Sequence, residues 1–501
     1  MASIGRLPEL LTIRAQATPG NVAHDDTSRA LTFAEWESES ASAAGGLRSS
    51  GVAVGDRVLL PITNRHAVDM AVMFLAVQRC GAIAVPLNTR LSADETDYFA
   101  TLTGARWAIT DIGDRLSELD LQQAWSVEDV PRDPAVVIDQ ASLDPDGDAD
   151  IISTSGTTGR PKGVVFSHRS LLSKMSFGEA SSSSKVLLHA LPFTGFGGCH
   201  GLMLASLRFG STVITQPSFS AAGMLELIEE KQPDTLHLVP SMLQLILDDP
   251  DVAAADTSSV RWIITGTAPL PNDTVTKLNS LWPRIRIVNV YGMTESEVNV
   301  TTRTRSSVSK PGSVGQPDDR AKVQIRDEVG DTVPDGVDGE VWTRSSNPLR
   351  YWGDDSATSS TWVDGWLKTG DVGHFDEDGD LILTGRSKDL IIRGGYNIGP
   401  GEVEDTLLGH PDVREAAVVG VPHPVLGEDV AAAVVLRDGS GATVEDLLDH
   451  AKRALADNKV PRTIVIKDAL PYNQNMKVVK RDLVAELAAQ AAIDRERRSD
   501  R

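Results

Sequence analysis

Apolar and polar positions change their rhythm several times along the chain. Between residues 57 and 110, short β-branched runs alternate with longer amphipathic stretches. RVLLPIT at 57–63 reads as a buried strand, 66–79 as a helix, and AIAVPL at 82–87 as the next strand. An acidic helix from about Ala93 to Thr103 and the strand WAIT at 107–110 follow. A strand–helix–strand succession predicts parallel sheet with crossover helices. The rhythm returns in KVLLHALP at 185–192, STVIT at 211–215, TLHLVP at 235–240, RWIITG at 261–266 and RIVNVYG at 286–292. From about 303 to 380 the chain turns rich in Gly, Asp, Ser and Thr around short strands such as KVQIRD and GEVWTR, the pattern of β-hairpins. After TGRSKD at 384–389 the pattern resets into KDLIIRG, a helix near 401–409, VREAAVVGV, DVAAAVVL, a helix near 444–457, TIVIKD and a closing helix. The expected fold class is α/β. A large N-terminal domain, residues 1–386, combines parallel-sheet α/β subdomains with a β-rich subdomain at about 303–385, and a small α+β C-terminal domain covers 387–501. The acidic DPDGDAD at 144–150 is expected to be a loop, and DRERRSDR at 494–501 a frayed tail.

Composition narrows the function classes. The 501 residues carry 70 acidic against 48 basic side chains, a formal net charge of −22. Such a surface repels nucleic acid and anionic membranes, so neither is an expected partner. Cys80 and Cys199 are the only cysteines, too few for a disulfide framework or a cysteine-rich zinc site. The N-terminus lacks a basic start with an unbroken apolar stretch, and no apolar run approaches the roughly 20 residues that span a bilayer. The expected setting is soluble, reducing and cytoplasmic, as a monomer or homodimer.

The densest chemical signal is STSGTTGRPKG at 153–163, between the strand DIIS and a helix opening near Ser167. Gly156, Gly159 and Gly163 free the backbone to turn N–H groups toward an anion. Ser155, Thr157 and Thr158 add hydroxyl donors, and Lys162 adds a mobile positive charge. The composition suits a polyphosphate, although a Ser/Thr/Gly surface loop shares much of it. It is not a Walker A loop, because glycine rather than Ser or Thr follows Lys162. GFGGCHG at 195–201 is no dinucleotide fingerprint, since His200 stands where the last glycine should be.

Five segments, STSGTTGRPKG, VYGMTE at 290–295, TGD at 369–371, GRSKDLIIRGGYNIGPGEVE at 385–404 and PYNQNMKVVKRDL at 471–483, stand in the order found in the adenylate-forming superfamily. The chain resembles that superfamily over essentially its whole length. Its members include acyl- and aryl-CoA ligases, adenylation domains of peptide synthetases and firefly luciferase. The resemblance implies ATP-dependent activation of a carboxylic acid to acyl-AMP with release of pyrophosphate, then transfer to CoA. Joining two anions calls for positioning and charge neutralisation rather than a general base. By the resemblance, Thr154 to Thr158 (with Ser155, Gly156 and Thr157) and Lys162 embrace the β- and γ-phosphates. Thr294 contacts the α-phosphate and Glu295 holds Mg²⁺. Tyr291, followed by Gly292 and Met293, lies against adenine, with Gly266, Thr267, Ala268 and Pro269 on the other side. Asp371 binds the ribose and Arg386 makes a second ribose or phosphate contact. Lys477 bridges the substrate carboxylate and the α-phosphate. Lys388 is the hinge on which the small domain swings, and Gly394, Gly395 and Tyr396 line the path of the CoA thiol. Lys459 and Arg462 are weaker candidates for CoA phosphates. One departure stands out: the residue before Lys477 is Met476, where relatives usually carry glycine.

The same resemblance places the acyl pocket at Phe193, Thr194, Gly195, Gly197 and Val290. Thr194 replaces the aspartate that pairs with an α-amino group in peptide-synthetase domains, which disfavours amino acids. Val290 replaces the arginine of malonate-specific relatives, so a dicarboxylate has no evident partner. The glycines of 195–198 leave space for a bulky or long acid, or else form a helix-entry turn without selective meaning. The acyl acceptor is CoA or a carrier protein or separate ligase, and a non-catalytic nucleotide binder is the remaining alternative.

Overall fold

In the computed structural model, residues 4–154, 161–173, 186–268, 270–296, 299–303, 312–344, 347, 349–386, 389–394, 396–472 and 478–499 are described. Their strands form four sheets. In the first, the strands Trp262–Gly266, Thr235–His237, Val186–His189 and Thr212–Thr215 are mutually parallel neighbours. Arg286–Gly292 extends this parallel set, and the antiparallel Asn299–Arg303 closes that edge. In the second, Ile83–Pro86, Arg57–Leu60, Trp107–Thr110 and Gln123–Ser126 run parallel in that spatial order. The expected helices connect them, Ala67–Arg79 and Ala93–Thr103. Ser92 and Glu95 close a capping box that fixes the start of the second helix. Helix Ala67–Arg79 is buried on nearly every face and lies at the centre of the largest apolar cluster. Beside it, the fully buried Trp36 donates its indole N–H to the Ala71 carbonyl at 2.9 Å.

The third sheet is the antiparallel unit Val323–Arg326, Gly339–Arg344, Trp366–Phe375 and Leu381–Arg386. The fourth begins at Ile391 and is built on the long hairpin Val413–His423 and Gly427–Leu436, with Thr463–Lys467 parallel to it. Helices Pro400–Leu408 and Val444–Ala454 cover one face, and Arg481–Ser499 the other. The parallel-sheet units and the smaller α+β unit answer to the expected fold class.

Two local expectations are corrected. The acidic 144–150 segment is not all loop, because the strand Asp148–Thr154 takes its last three residues. Asp150 is fully buried there and reaches His200 Nε2 at 3.1 Å, a partner that no local pattern reveals. The C-terminal run does not fray at 494, since the helix continues to Ser499. Asp494 ties it back by accepting from Thr463 Oγ1 at 3.1 Å, and Arg495 donates to the Pro422 carbonyl at 3.3 Å.

The large and small units meet at helix Pro240–Leu247. Gln244 donates to the Arg414 carbonyl at 3.2 Å, and Asp248 lies 3.3 Å from Lys277 and 3.7 Å from Arg437. Both cysteines are buried free thiols; burial pushes Cys80 up to about 11 and Cys199 well above its ordinary value. Among the described residues, no helix is long and apolar enough to cross a membrane.

Burial holds several histidines neutral. It lowers His24 to about 3, His168 and His237 to about 4, and His189 well below its usual range. The unfolded chain binds protons at 6.5 that the folded one refuses, so stability is complete above that pH and is lost as pH falls toward about 4. Each group adds up to about 1.4 kcal/mol per pH unit to the slope. The urea midpoint should therefore drop steadily between about pH 7 and pH 5, and a flat midpoint there would contradict these buried neutral rings.

Candidate active site

The phosphate-loop candidate is the connection of a β-hairpin. The strand Asp148–Thr154 enters it and Lys162–Ser167 leaves it, with Thr154 directly opposite Lys162 in the register. The sequence reading put a helix next, whereas the helix begins at His168 after this intervening strand. Ser155, Gly156, Thr157 and Thr158 lie outside the described residues, as do Pro269, Lys388, Gly395, Met476 and Lys477. At the neck, the Thr154 hydroxyl is buried and has no hydrogen-bond partner among the described residues. Such an atom is costly unless something accepts from it or donates to it, and a phosphate oxygen would satisfy it.

Two clusters of polar side chains face this neck. In the first, the Lys162 ammonium sits over the Tyr351 ring, 4.5 Å from its centroid, and the Tyr351 hydroxyl donates to Glu295 Oε1 at 2.9 Å. Glu295 is held on a short 3-10 turn, Thr294–Ser296, locked by the Ser296 hydroxyl, which accepts from the Met293 amide at 3.1 Å. Burial raises the Glu295 carboxyl, opposed first by a hydrogen bond from its own backbone amide, then by that from Tyr351 and by the charges of Arg386 and Lys162. A desolvated carboxylate beside a phosphate site suits a hard cation, which would restore its charged form. Among the described residues no cluster of three or more His, Cys, Asp or Glu could hold a metal by itself. Mg²⁺ would therefore be carried by the nucleotide's oxygens together with Glu295.

In the second cluster, Asp371 accepts from the Tyr291 hydroxyl at 2.7 Å and from Arg386 Nε at 2.8 Å. Asp371 is 6% exposed while the Arg386 side chain is half-exposed. Asp371 and Arg386 are paired across the hairpin of the β-rich sheet. Burial and the Asp371 charge push the Tyr291 phenol well upward, so it stays a donor. Gly266 lies against Val290 so closely that a Cβ would come 2.6 Å from the Val290 carbonyl oxygen. The next residue, Thr267, adopts φ 70°, a left-handed conformation that costs a β-branched residue about 1–2 kcal/mol. Strain of that kind is retained where a backbone must take a particular shape. Exposed Thr267 and half-buried Ala268 follow the carboxyl end of one strand, beside the strand that carries Tyr291.

At the acyl-pocket candidates, Phe193 and Thr194 are buried, and Phe193 packs between the rings of His24 and His189. Gly197–Met203 forms a π-helix, a form often found at functional sites. Its glycines differ in kind. A Cβ on Gly198 would lie 1.8 Å from the Pro192 carbonyl oxygen, whereas beside Gly195 and Gly201 nothing stands within 4 Å. Gly198→Ala is expected to cost about 3 kcal/mol of stability, the upper end for overpacking, because the obstacle is backbone. Gly195→Ala and Gly201→Ala should unfold like the parent. Thermal unfolding of the three variants checks this, and a stable Gly198→Ala would refute the close packing.

On the small unit, the Gly394 amide donates to the Leu426 carbonyl at 2.8 Å with φ 58°, and Tyr396 is 63% exposed. Lys459 and Arg462 are each taken up by a neighbour, Glu402 and Asp457. The sequence reading missed Tyr351; its only local mark is an aromatic pair, Tyr351-Trp352, in a polar region. It also missed a cleft of about 320 Å³ at the carboxyl ends of the strands Arg57–Leu60, Ile83–Pro86 and Trp107–Thr110, lined by Asn88, Thr89, Arg90, Ser92 and Arg115.

The hairpin neck with Thr154 and Lys162, the buried Glu295 and the Asp371–Arg386 pair stand on the architecture of an adenylate-forming ligase. Residues 11–352 match the AMP-binding enzyme family and residues 402–477 its C-terminal domain. The chain belongs to that family and is an AMP-forming acid–thiol ligase. It is 34% identical to the feruloyl-CoA synthase of an Amycolatopsis species, over 93% of this chain and 96% of that protein. It is 31% identical to the fatty acid–[acyl-carrier-protein] ligase ScoC of Streptomyces coeruleorubidus, over 95% of this chain and 96% of that protein. The structure of the amide bond synthetase McbA from Marinactinospora thermotolerans superposes with a TM-score of 0.83 at 29% identity, covering 96% of this chain and 99% of that one.

Proposed function

We propose that the acid this enzyme activates is bulky or long-chain and that CoA accepts its acyl group. The open space beside half-buried Gly195, next to the buried Phe193 and Thr194, is the observation that carries the first part. Thr194 and Val290 offer no charge to an α-amino or second carboxylate group. Relatives named for feruloyl-CoA and for fatty acids support a bulky or long-chain acid.

For the acceptor, the support is the cleft with Arg90 and Arg115. It lies where open parallel sheets hold their ligands, outside the carboxyl ends of the strands. Thr154 ends at the same edge, because its strand runs parallel to Ile83–Pro86. Two guanidinium groups there suit the phosphates of CoA better than the surface of a protein. The carrier-protein ligase and the amide synthetase among the similar proteins make other acceptors the competing reading.

In the nucleotide site, ATP supplies the activated anhydride and Mg²⁺ neutralises its charge. Lys162 and the Thr154 hydroxyl hold the phosphate chain, Glu295 holds the cation, and Asp371 with Arg386 fixes the ribose. Tyr291 and the 266–269 turn enclose the adenine. Lys477 brings the carboxylate onto the α-phosphate, and the small domain turns about Lys388 to bring Gly394, Gly395 and Tyr396 to the thiol.

The deciding experiment is pyrophosphate release across aryl and fatty acids, with and without CoA. Sustained turnover only with CoA, with acyl-CoA formed, supports the proposal. A single burst of adenylate that CoA cannot discharge overturns the CoA assignment, and preference for acetate or an amino acid overturns the pocket assignment.

A further inference from the structure

Tyr351 stands between two side chains that the nucleotide site uses. Its ring face carries the Lys162 ammonium, and its hydroxyl donates to Glu295. The residue is 6% exposed and packs its ring on Trp362, 5.1 Å between centroids. Its backbone is fixed to the strand that leaves the phosphate loop: Arg350 and Tyr351 pair with Val165 and Val164, and the Trp352 amide donates to the Gly163 carbonyl at 2.8 Å. The Thr358 hydroxyl, from the short helix Asp355–Thr361 behind it, accepts from the Tyr351 amide at 3.0 Å.

Lys162 and Glu295 carry opposite charges within one poorly hydrated site. Left to themselves, such groups gain by closing into a direct ion pair. A ligand would then have to break that pair before either charge could be used. Here the ammonium rests on an aromatic face instead, which attracts a cation without neutralising it. The carboxylate takes the neutral Tyr351 hydroxyl on Oε1 instead of the ammonium, which favours its charged form and helps fix its rotamer.

We propose that Tyr351 is a positioning residue that holds Lys162 and Glu295 apart and aimed in the nucleotide-free enzyme, so that the phosphate chain meets an ammonium, and its Mg²⁺ a carboxylate, that are not spent on an ion pair with each other. The inference rests on the roles of Lys162 and Glu295 proposed above. The ring and the hydroxyl serve different partners, so two substitutions divide the role. Tyr351→Phe keeps the ring under Lys162 and removes the donor to Glu295. Tyr351→Leu removes both.

The test is calorimetric titration of ATP into the intact protein, once with excess EDTA and once with saturating Mg²⁺, with thermal unfolding as a check on each variant. Tyr351→Phe should keep its metal-free affinity within about twofold and lose about five- to tenfold of the gain that Mg²⁺ confers. Tyr351→Leu should also lose about three- to tenfold in metal-free affinity. A Phe variant with parental metal dependence overturns the proposal. So does one that loses equally with and without Mg²⁺, the mark of a merely structural residue, or a Leu variant with parental metal-free affinity. Glu295→Gln separates the two levels. If it retains the full Mg²⁺ gain, the underlying reading of Glu295 fails; if it abolishes the gain while Tyr351→Phe leaves it intact, only the role of Tyr351 fails.

Discussion

Lys477→Ala is expected to slow acyl-adenylate formation by about two to three orders of magnitude, while thiolation of a supplied acyl adenylate stays within about twofold of the parent. The first half-reaction brings a carboxylate against a phosphate chain, and a cation between them acts mainly in the transition state. The second half-reaction has a neutral acyl carbon under attack by a thiol and needs no such bridge. The described residues that flank 473–477 are anchored. Tyr472 and Val478 form an antiparallel bridge, Tyr472 donates to Glu415 at 2.9 Å, and Lys480 pairs with Glu404 at 2.7 Å. ATP–pyrophosphate exchange reads the first half, and CoA consumption with synthetic adenylate reads the second. Equal losses in both would overturn this division of labour.

Asp371→Ala should weaken nucleotide binding by about tenfold to a hundredfold, the effect of losing a charged acceptor that two hydroxyls share. It should also cost about 1–3 kcal/mol of stability, because the Tyr291 hydroxyl loses its acceptor in a buried setting. The half-exposed Arg386 contributes less, since water replaces its lost partner. Asp371→Asn keeps an acceptor for Tyr291 and removes the charge, so it should recover most of the stability and little of the affinity. Calorimetric titration of ATP beside thermal unfolding separates the two. Lost stability with unchanged affinity would reduce Asp371 to a structural role.

The parallel-sheet units were legible because their strands are continuous apolar runs with helices between them; WAIT at 107–110 and the helix Ala93–Thr103 stand where the pattern puts them. The hairpin around the phosphate loop was less legible. KGVVFS continues directly from the glycine-rich segment, and nothing local says that it folds back on DIIS rather than opening a helix. Asp150 looked like part of an acidic loop because its partner, His200, is 50 residues away. The candidate nucleotide residues were named from ordered motifs. Tyr351 lies in no such motif, and its position between Lys162 and Glu295 depends on three segments meeting in space, which no window of sequence contains.

An enzyme that builds thioesters works on acyl groups activated enough to react with any thiol within reach. Cys80 and Cys199 are the chain's own two thiols, both sequestered and both held protonated. The protein is thereby insulated from acylating itself, and it offers no native handle to maleimides. A cysteine pair introduced on the surfaces of the large and small units would be labelled alone, so fluorescence during turnover can test whether one unit swings against the other.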